Sequence, residues 1–246
     1  MPFDNPLLTP DWPAPQTVMA CSTTRIGGVS HAPYDAFNLG AHVGDNPESV
    51  QENRRLLVSR AALPAMPYWL NQVHGTQVIN LDAEPPESLT GDAVYTRRRG
   101  QVCAVMTADC LPVLFCSSDG KEVAAAHAGW RGLQAGVLEK TLCHFRASPA
   151  DIMAWMGPAI GPLQFEVGAE VREAFIHVDP AADCAFVAHN GKFLADIYQL
   201  ARLRLQAAGV SRVFGGDACT VSERERFFSY RRDRTTGRMA TLIWLI

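Results

Sequence analysis

Val102-Cys103-Ala104-Val105-Met106-Thr107-Ala108-Asp109-Cys110-Leu111-Pro112-Val113-Leu114-Phe115 reads as two short apolar runs separated by a polar break. Val102 to Met106 and Val113 to Phe115 both carry β-branched residues and predict buried strands. Pro112 lacks an N–H, which predicts that regular pairing is interrupted beside Cys110. Downstream, Glu122 to Ala126 predicts a further strand, whose Ala124-Ala125-Ala126 run ends at His127 and enters the turn Gly129-Trp130-Arg131-Gly132.

Outward from this centre, helices and strands are interspersed. Asn46-Pro47-Glu48 predicts a helix start, with Asn46 as N-cap and Pro47 at the first helical position. Val50, Leu56, Leu57 and Ala61 give the segment to Ala62 an apolar face. Further helices are predicted over Leu133–Phe145, Ala169–His177 and Leu194–Ala208. Arg226–Tyr230 and Arg238–Leu245 read as two strands joined by a turn at Thr236-Gly237. Strict βαβ alternation is missing, so the pattern predicts an α+β sandwich with mixed sheets and helices outside. Glu84 to Ser88 reads as a surface loop, and residues 1–246 are read as one domain.

The chain has 246 residues, 48% hydrophobic and 19% charged, as expected of a globular domain with a substantial core. A net charge of -3 gives no electrostatic reason to expect nucleic acid or an anionic membrane as partner. No uninterrupted apolar stretch approaches the ~20 residues needed to span a bilayer. Met1 to Pro6 shows no basic segment leading into an apolar run, so no signal peptide is expected. The seven cysteines form no Cys-x-x-Cys pair and several lie in apolar runs, which predicts reduced thiols and a cytoplasmic setting.

His74, in Gln72-Val73-His74-Gly75, Cys110 and His127 each fall at a strand end beside a break. Alone, each has an ordinary reading: a hydrogen-bonded histidine, a core cysteine, a turn histidine. Together they form a His2Cys set that can hold one Zn2+, or a copper ion, and leave a fourth position for water or substrate. Their spacing is too long for a zinc-finger knuckle and suits a site assembled by tertiary structure. Asp109 is either a proton-handling or ligand-orienting carboxylate, or the cap of an Asx-type turn. Seven histidines without any His-x-His pair are too few for a multicopper cluster, and the His-x-Glu…Pro-Cys-x-x-Cys deaminase signature is absent.

Two segments could take an anion. Thr23 to Ser30 combines hydroxyls, Arg25 and paired glycines, with a hairpin turn as the plain alternative. Ser229 to Arg238 holds four arginines between apolar stretches, so one or two could reach a ligand while the rest face solvent. Arg97-Arg98-Arg99-Gly100 reads as an exposed turn. Gly157-Pro158-Ala159-Ile160-Gly161-Pro162 is a rigid loop, either lining a pocket or making a sharp connection.

These stretches resemble, in order along nearly the whole chain, the YfiH-like family, also called the laccase-domain or polyphenol oxidoreductase family. The match comprises Thr24-Arg25-x-Gly27-Gly28-Val29-Ser30, Asn38-Leu39, His42-Val43-Gly44-Asp45-Asn46, Asn71-Gln72-Val73-His74-Gly75 and Gly91-Asp92-Ala93. It continues through Thr107 to Pro112, His127 to Gly132, Gly157-Pro158-x-Ile160-Gly161 and Phe228-Ser229-Tyr230-Arg231-Arg232. Asn46 stands where Asp is often expected.

The resemblance implies a single-domain α/β/β/α sandwich, similar to the catalytic fold of a toxin deamidase, and zinc bound by His74, Cys110 and His127. It implies a purine nucleoside phosphorylase acting on adenosine, inosine and methylthioadenosine, with adenosine deaminase side activity. The partners would be nucleoside and phosphate. Asp109, Cys110 and His127 are then the catalytic candidates, and Arg25, Asn38, Arg231 and Arg232 the substrate- or phosphate-binding ones. Three alternatives remain: an amide hydrolase editing peptidoglycan precursors with Cys110 as nucleophile, a copper-dependent polyphenol oxidase, and a non-catalytic zinc protein.

Overall fold

The computed structural model describes residues 6–82, 86 and 88–246, and most of the expected Glu84–Ser88 loop and of the Met1–Pro6 segment lies outside them. In chain order the strands are β1 (Leu7–Leu8), β2 (Val18–Thr23), β3 (Val78–Asn80), β4 (Ala93–Thr96), β5 (Val102–Thr107), β6 (Leu111–Ser117), β7 (Val123–Ala128), β8 (Ile152–Met156), β9 (Glu166–Val167), β10 (Phe186–His189), β11 (Lys192–Ala195), β12 (Arg212–Gly215) and β13 (Met239–Leu245). The helices are α1 (Pro47–Arg60), α2 (Trp130–Ala135), α3 (Val137–Leu142), α4 (Ala169–Val178), α5 (Ile197–Ala207) and α6 (Tyr230–Asp233).

A six-stranded sheet runs β12-β8-β6-β7-β4-β3 and a four-stranded sheet runs β1-β2-β13-β5. The larger sheet is mixed, with parallel β3–β4 and β8–β12 pairs among antiparallel ones. Strand alternation explains the layering. Along β6, Val113 and Phe115 join the cluster beneath α3 and α5, while Leu114 and Cys116 join Val105 and Ile243 between the sheets. The outer face of the smaller sheet packs Leu242 and Ala104 against Leu57 of α1. The layers are therefore helix, sheet, sheet, helix, the α/β/β/α sandwich expected of the family. Burying a side chain such as Leu57 contributes about 1.5–3 kcal/mol.

The α1 start follows its sequence: the Asn46 side chain accepts from the N–H groups of Glu48 at 2.7 Å and Ser49 at 3.2 Å, a cap worth about 0.5–2 kcal/mol. Four expectations need correction. The segment Leu133–Phe145 is not one helix, because Gly136 takes φ 96° and separates α2 from α3. Leu194 and Ala195 end a strand, and α5 begins only after Asp196, whose side chain accepts from Gln199 N–H at 2.9 Å.

Arg226–Tyr230 is not a strand either. Phe227 and Phe228 are both fully buried, Ser229 caps the short α6, and the two edges of β13 are taken by β2 and β5. Pro112 does not interrupt β6, where it stands opposite His127. Its carbonyl accepts from Gly157 beyond the end of β8, and the Gly157 carbonyl accepts instead from the Tyr198 hydroxyl, so the missing Pro112 N–H leaves no acceptor without a partner there. No described helix is long and apolar enough to cross a membrane, and all seven cysteines are free.

Candidate metal centre

One end of the sandwich collects the chemistry. The β4 start, the β5–β6 turn, the β7 end and the β13 start all lie there, bringing Asp92, Asp109–Cys110, His127 and Arg238 to one rim. His74 reaches it from the loop before β3, held at φ 60°. Gln72 fixes that loop to β5: its Oε1 accepts from Met106 N–H and its Nε2 donates to Met106 O, both at 2.8 Å.

The ligand atoms of His74, Cys110 and His127 all lie within 4.8 Å of one another, and Cys110 Sγ is 3.8 Å from His74 Nε2. Two ligands of a tetrahedral Zn2+ stand roughly 3.5 Å apart, so the set fits a metal. Asp92 Oδ1 lies 2.8 Å from Nδ1 of His127, which leaves Nε2 of that ring for an ion. The same carboxylate accepts backbone N–H bonds from Val73, His74 and Gly75 at 3.2, 2.9 and 2.7 Å. Gly129 is required by space: a Cβ there would stand 2.9 Å from Cδ2 of His74 and 3.0 Å from Cys110 Sγ.

Electrostatics prepare the thiolate. Burial opposes ionisation of Cys110, but the neighbouring His127 and His74 override it and pull the thiol down to about 6. Burial likewise opposes the charge on His127, while the Cys110 thiolate and Asp92 raise it to about 9. Each group favours the charged form of the other, thiolate on Cys110 and imidazolium on His127, and an ion would take the place of the imidazolium proton. Burial works against the Asp92 carboxylate too, yet the His127 and backbone bonds hold it below the ordinary range.

Two clefts meet at the centre and share His74, Ala108, Cys110 and Tyr230. The first, about 230 Å³, is walled by Trp130, Ile160, Phe165 and Ile197, with Asp109, Arg131 and Arg231. The second, about 420 Å³, adds His42, Gln72, Thr107, His127 and Arg238.

The remaining candidates separate. Asp109 takes φ 95°, and its two carboxylate oxygens accept from Thr220 Oγ1 and Arg231 N–H, each at 2.6 Å. Arg231 lines the first cleft and donates from Nη1 to Glu166 O at 2.9 Å. The Arg232 guanidinium is occupied by the carbonyls of Thr220, Val221 and Phe227 and by Asp233. Arg25 lies in another cleft, bonded to Asp35 and to the Arg224 carbonyl. Asn38 is fully buried, and its Oδ1 accepts from the N–H groups of Gly40 and Arg238.

Residue type and spacing single out neither Asp92 nor Arg238 by itself. The Gly91-Asp92-Ala93 motif held the signal for the first. Arg238 was one of four similar arginines in its segment.

The family model described as multi-copper polyphenol oxidoreductase laccase matches residues 19–246. The chain belongs to this YfiH-like laccase-domain family. Among its relatives is a purine nucleoside phosphorylase, YfiH, of Escherichia coli K12, 63% identical over 240 residues, spanning 98% of this chain and 99% of the relative. A Pseudomonas aeruginosa purine nucleoside phosphorylase is 56% identical over 243 residues, again covering 98% and 99%. The crystal structure of a Neisseria meningitidis protein superposes with a TM-score of 0.92 at 52% identity, covering 98% of this chain and 99% of that one. Among the described residues of this laccase-domain chain, His74, Cys110 and His127 form the one cluster of metal-binding side chains.

Proposed function

We propose that this chain is a zinc-dependent purine nucleoside phosphorylase acting on adenosine, inosine and methylthioadenosine, with adenosine deamination as a side activity. The observation that carries the reading is a His2Cys set at the junction of two clefts, one walled by Trp130, Ile160 and Phe165 and the other carrying His42, Gln72 and Arg238. The names of relatives that match nearly the whole chain support its purine nucleoside phosphorylase part.

A Zn2+ held by His74, Cys110 and His127 would act as a Lewis acid and lower the pKa of a bound water. The rest falls to the protein. Phosphorolysis forms a bond from a phosphate oxygen to the anomeric carbon, breaks the bond from that carbon to the purine nitrogen, and returns a proton to the departing base. Positioning and charge stabilisation supply most of the rate. The apolar walls of Trp130, Ile160 and Phe165 suit the flat purine, and Arg231 beside them meets charge developing on the base. Asp109 positions Arg231 through its backbone N–H.

Base release from inosine by zinc-loaded protein, with and without phosphate, tests the reading. Phosphate-dependent release giving ribose 1-phosphate, abolished in Cys110→Ala and His127→Ala together with bound zinc, is the expected result. Full activity in a metal-free variant would remove the metal role.

The lowered thiol pKa and the chain of contacts from Cys110 through His127 to Asp92 favour one second reading, an amide hydrolase with Cys110 as nucleophile. A zinc-bound thiolate attacks poorly, so the two schemes compete. Loss of amidase activity on stoichiometric alkylation of Cys110 would select the hydrolase.

A further inference from the structure

We propose that Arg238 is the oxyanion-holding residue of this centre, and that inorganic phosphate occupies the cleft lined by it and His42, while the purine occupies the more apolar cleft on the Arg231 side. This rests on the phosphorylase reading for the identity of the anion, but not for the existence of the subsite.

Four observations support it. First, Arg238 lines the same cleft as His74, Cys110 and His127, whereas Arg25 lines a different cleft and Arg232 is taken up by carbonyls and Asp233. Second, its Nη1 donates to the carbonyls of Thr236 and Gly237 at 3.0 Å, but its Nε and Nη2 have no hydrogen-bond partner among the described residues. Those two atoms form the side-on fork that meets an oxyanion with two parallel bonds. No carboxylate among the described residues stands within ion-pair distance of Arg238. Cys110 and Asp109 are the nearest acidic groups acting on this partly buried guanidinium, but neither bonds to it, so the Nε and Nη2 donors are left for a bound anion.

Third, the residue is held in place. Asn38 Oδ1 accepts its N–H at 2.9 Å, and its carbonyl accepts from Leu39 N–H at 3.1 Å. Gly40 packs so closely that a Cβ there would fall 2.8 Å from Cγ of Arg238. The Asn38-Leu39-x segment is thus a bracket for this side chain, which gives Asn38 a positioning role.

Fourth, the cleft with Arg238 is the more polar of the two, and the two share one wall, His74, Ala108, Cys110 and Tyr230. Displacement at an anomeric carbon needs nucleophile and leaving base on different sides of the sugar. Two clefts joined at the candidate metal centre, one carrying Arg238, His42 and Gln72 and the other the Trp130, Ile160 and Phe165 walls, satisfy that requirement with the sugar at the shared wall.

The test uses Arg238→Met, which keeps the aliphatic stem, Arg238→Lys, which keeps the charge but loses the fork, and Arg99→Met as a charge-loss control at the opposite end of the sheets. Two readouts are taken on zinc-loaded protein: the KM for phosphate against the KM for inosine, and the rise in Tm produced by inorganic phosphate alone. Arg238→Met is expected to raise the phosphate KM roughly 10–100-fold, the loss of two charge-assisted bonds, with a much smaller change for inosine. It should also abolish the phosphate-induced rise in Tm. Arg238→Lys recovers part of both, and Arg99→Met matches the wild type.

An unchanged phosphate KM and an unchanged phosphate-induced Tm shift in Arg238→Met would overturn the subsite, as would a wild-type protein whose Tm does not respond to phosphate. A wild-type protein that does not cleave nucleosides, yet is stabilised by phosphate through Arg238, would leave the subsite standing and remove the phosphorylase reading.

Discussion

The Asp92 carboxylate binds Nδ1 of His127 at 2.8 Å and, with the same two oxygens, the backbone of residues 73–75, so one buried group sets the positions of both candidate histidine ligands. This couples the loop before β3 to strand β7 without any direct ladder between them. It also makes the candidate metal centre depend on a residue outside the set of His74, Cys110 and His127.

Replacing Asp92 by Ala should therefore cost more than a surface change. It leaves His127 Nδ1 and three backbone N–H groups without their acceptor, a loss of about 3–5 kcal/mol for a broken buried pair. Asp92→Asn keeps one acceptor oxygen and should fold, but bind zinc roughly 10–100-fold more weakly. Competition with a chromophoric chelator measures the affinity, and denaturant melts measure the stability.

Asp92 also shapes acid stability. Its folded pKa is depressed below the unfolded value of about 3.9. Its contribution is therefore fully present above the unfolded value and disappears as pH falls through the folded one. Wild-type metal-free protein should lose stability faster on acidification through that window than Asp92→Asn, as read by urea midpoints at a series of pH values. Parallel curves would show that the carboxylate is not the group responsible.

The Cys110 thiol, pulled down to about 6, should react with iodoacetamide in metal-free protein already at neutral pH, with a rate that rises as pH passes 6 and then levels. Burial pushes the Cys21 and Cys116 thiols up to about 12, so they stay unmodified. Peptide mapping separates Cys110 from the exposed Cys143 and Cys184. Zinc loading should protect Cys110; equal labelling with and without metal would exclude the thiolate as a ligand.

Gly129→Ala tests the packing of the centre. The new methyl would press on His74 and the Cys110 sulfur at 2.9 and 3.0 Å, and both must move apart. The backbone at Gly129, φ -62° and ψ 157°, suits any residue, so the fold should survive. The expected outcome is a near-wild-type circular dichroism spectrum with zinc binding weakened by an order of magnitude or more. Undiminished zinc binding would place the ion elsewhere.

Strands β5, β6 and β7 were legible because runs buried on both faces must be apolar throughout, and α1 because its cap lies in adjacent residues. The His2Cys set was legible as residue types beside strand ends. Gly136 could have sat within one helix; only the turn of the chain over the sheet puts it at φ 96° and splits α2 from α3. Phe227-Phe228 read as a strand because apolar aromatics satisfy many backbones, and the competition for the edges of β13 decided otherwise.

What the sequence determined by itself is local: caps, apolar periodicity and the inventory of ligands and cations. The tertiary structure alone decided which groups of like chemistry meet. Arg25, Arg231, Arg232 and Arg238 carry the same charge. The Arg232 guanidinium is consumed by nearby carbonyls and Asp233, Arg25 is bonded in another cleft, and Arg231 and Arg238 line the clefts at the candidate metal centre. The same holds for Asp92 and Asp109, one bonded to His127 and the other to Thr220 and Arg231. For Asp92 and Asp109 those choices depend on hydrogen-bond partners 17 to 122 residues away, a distance over which neighbouring residues in the sequence carry no information.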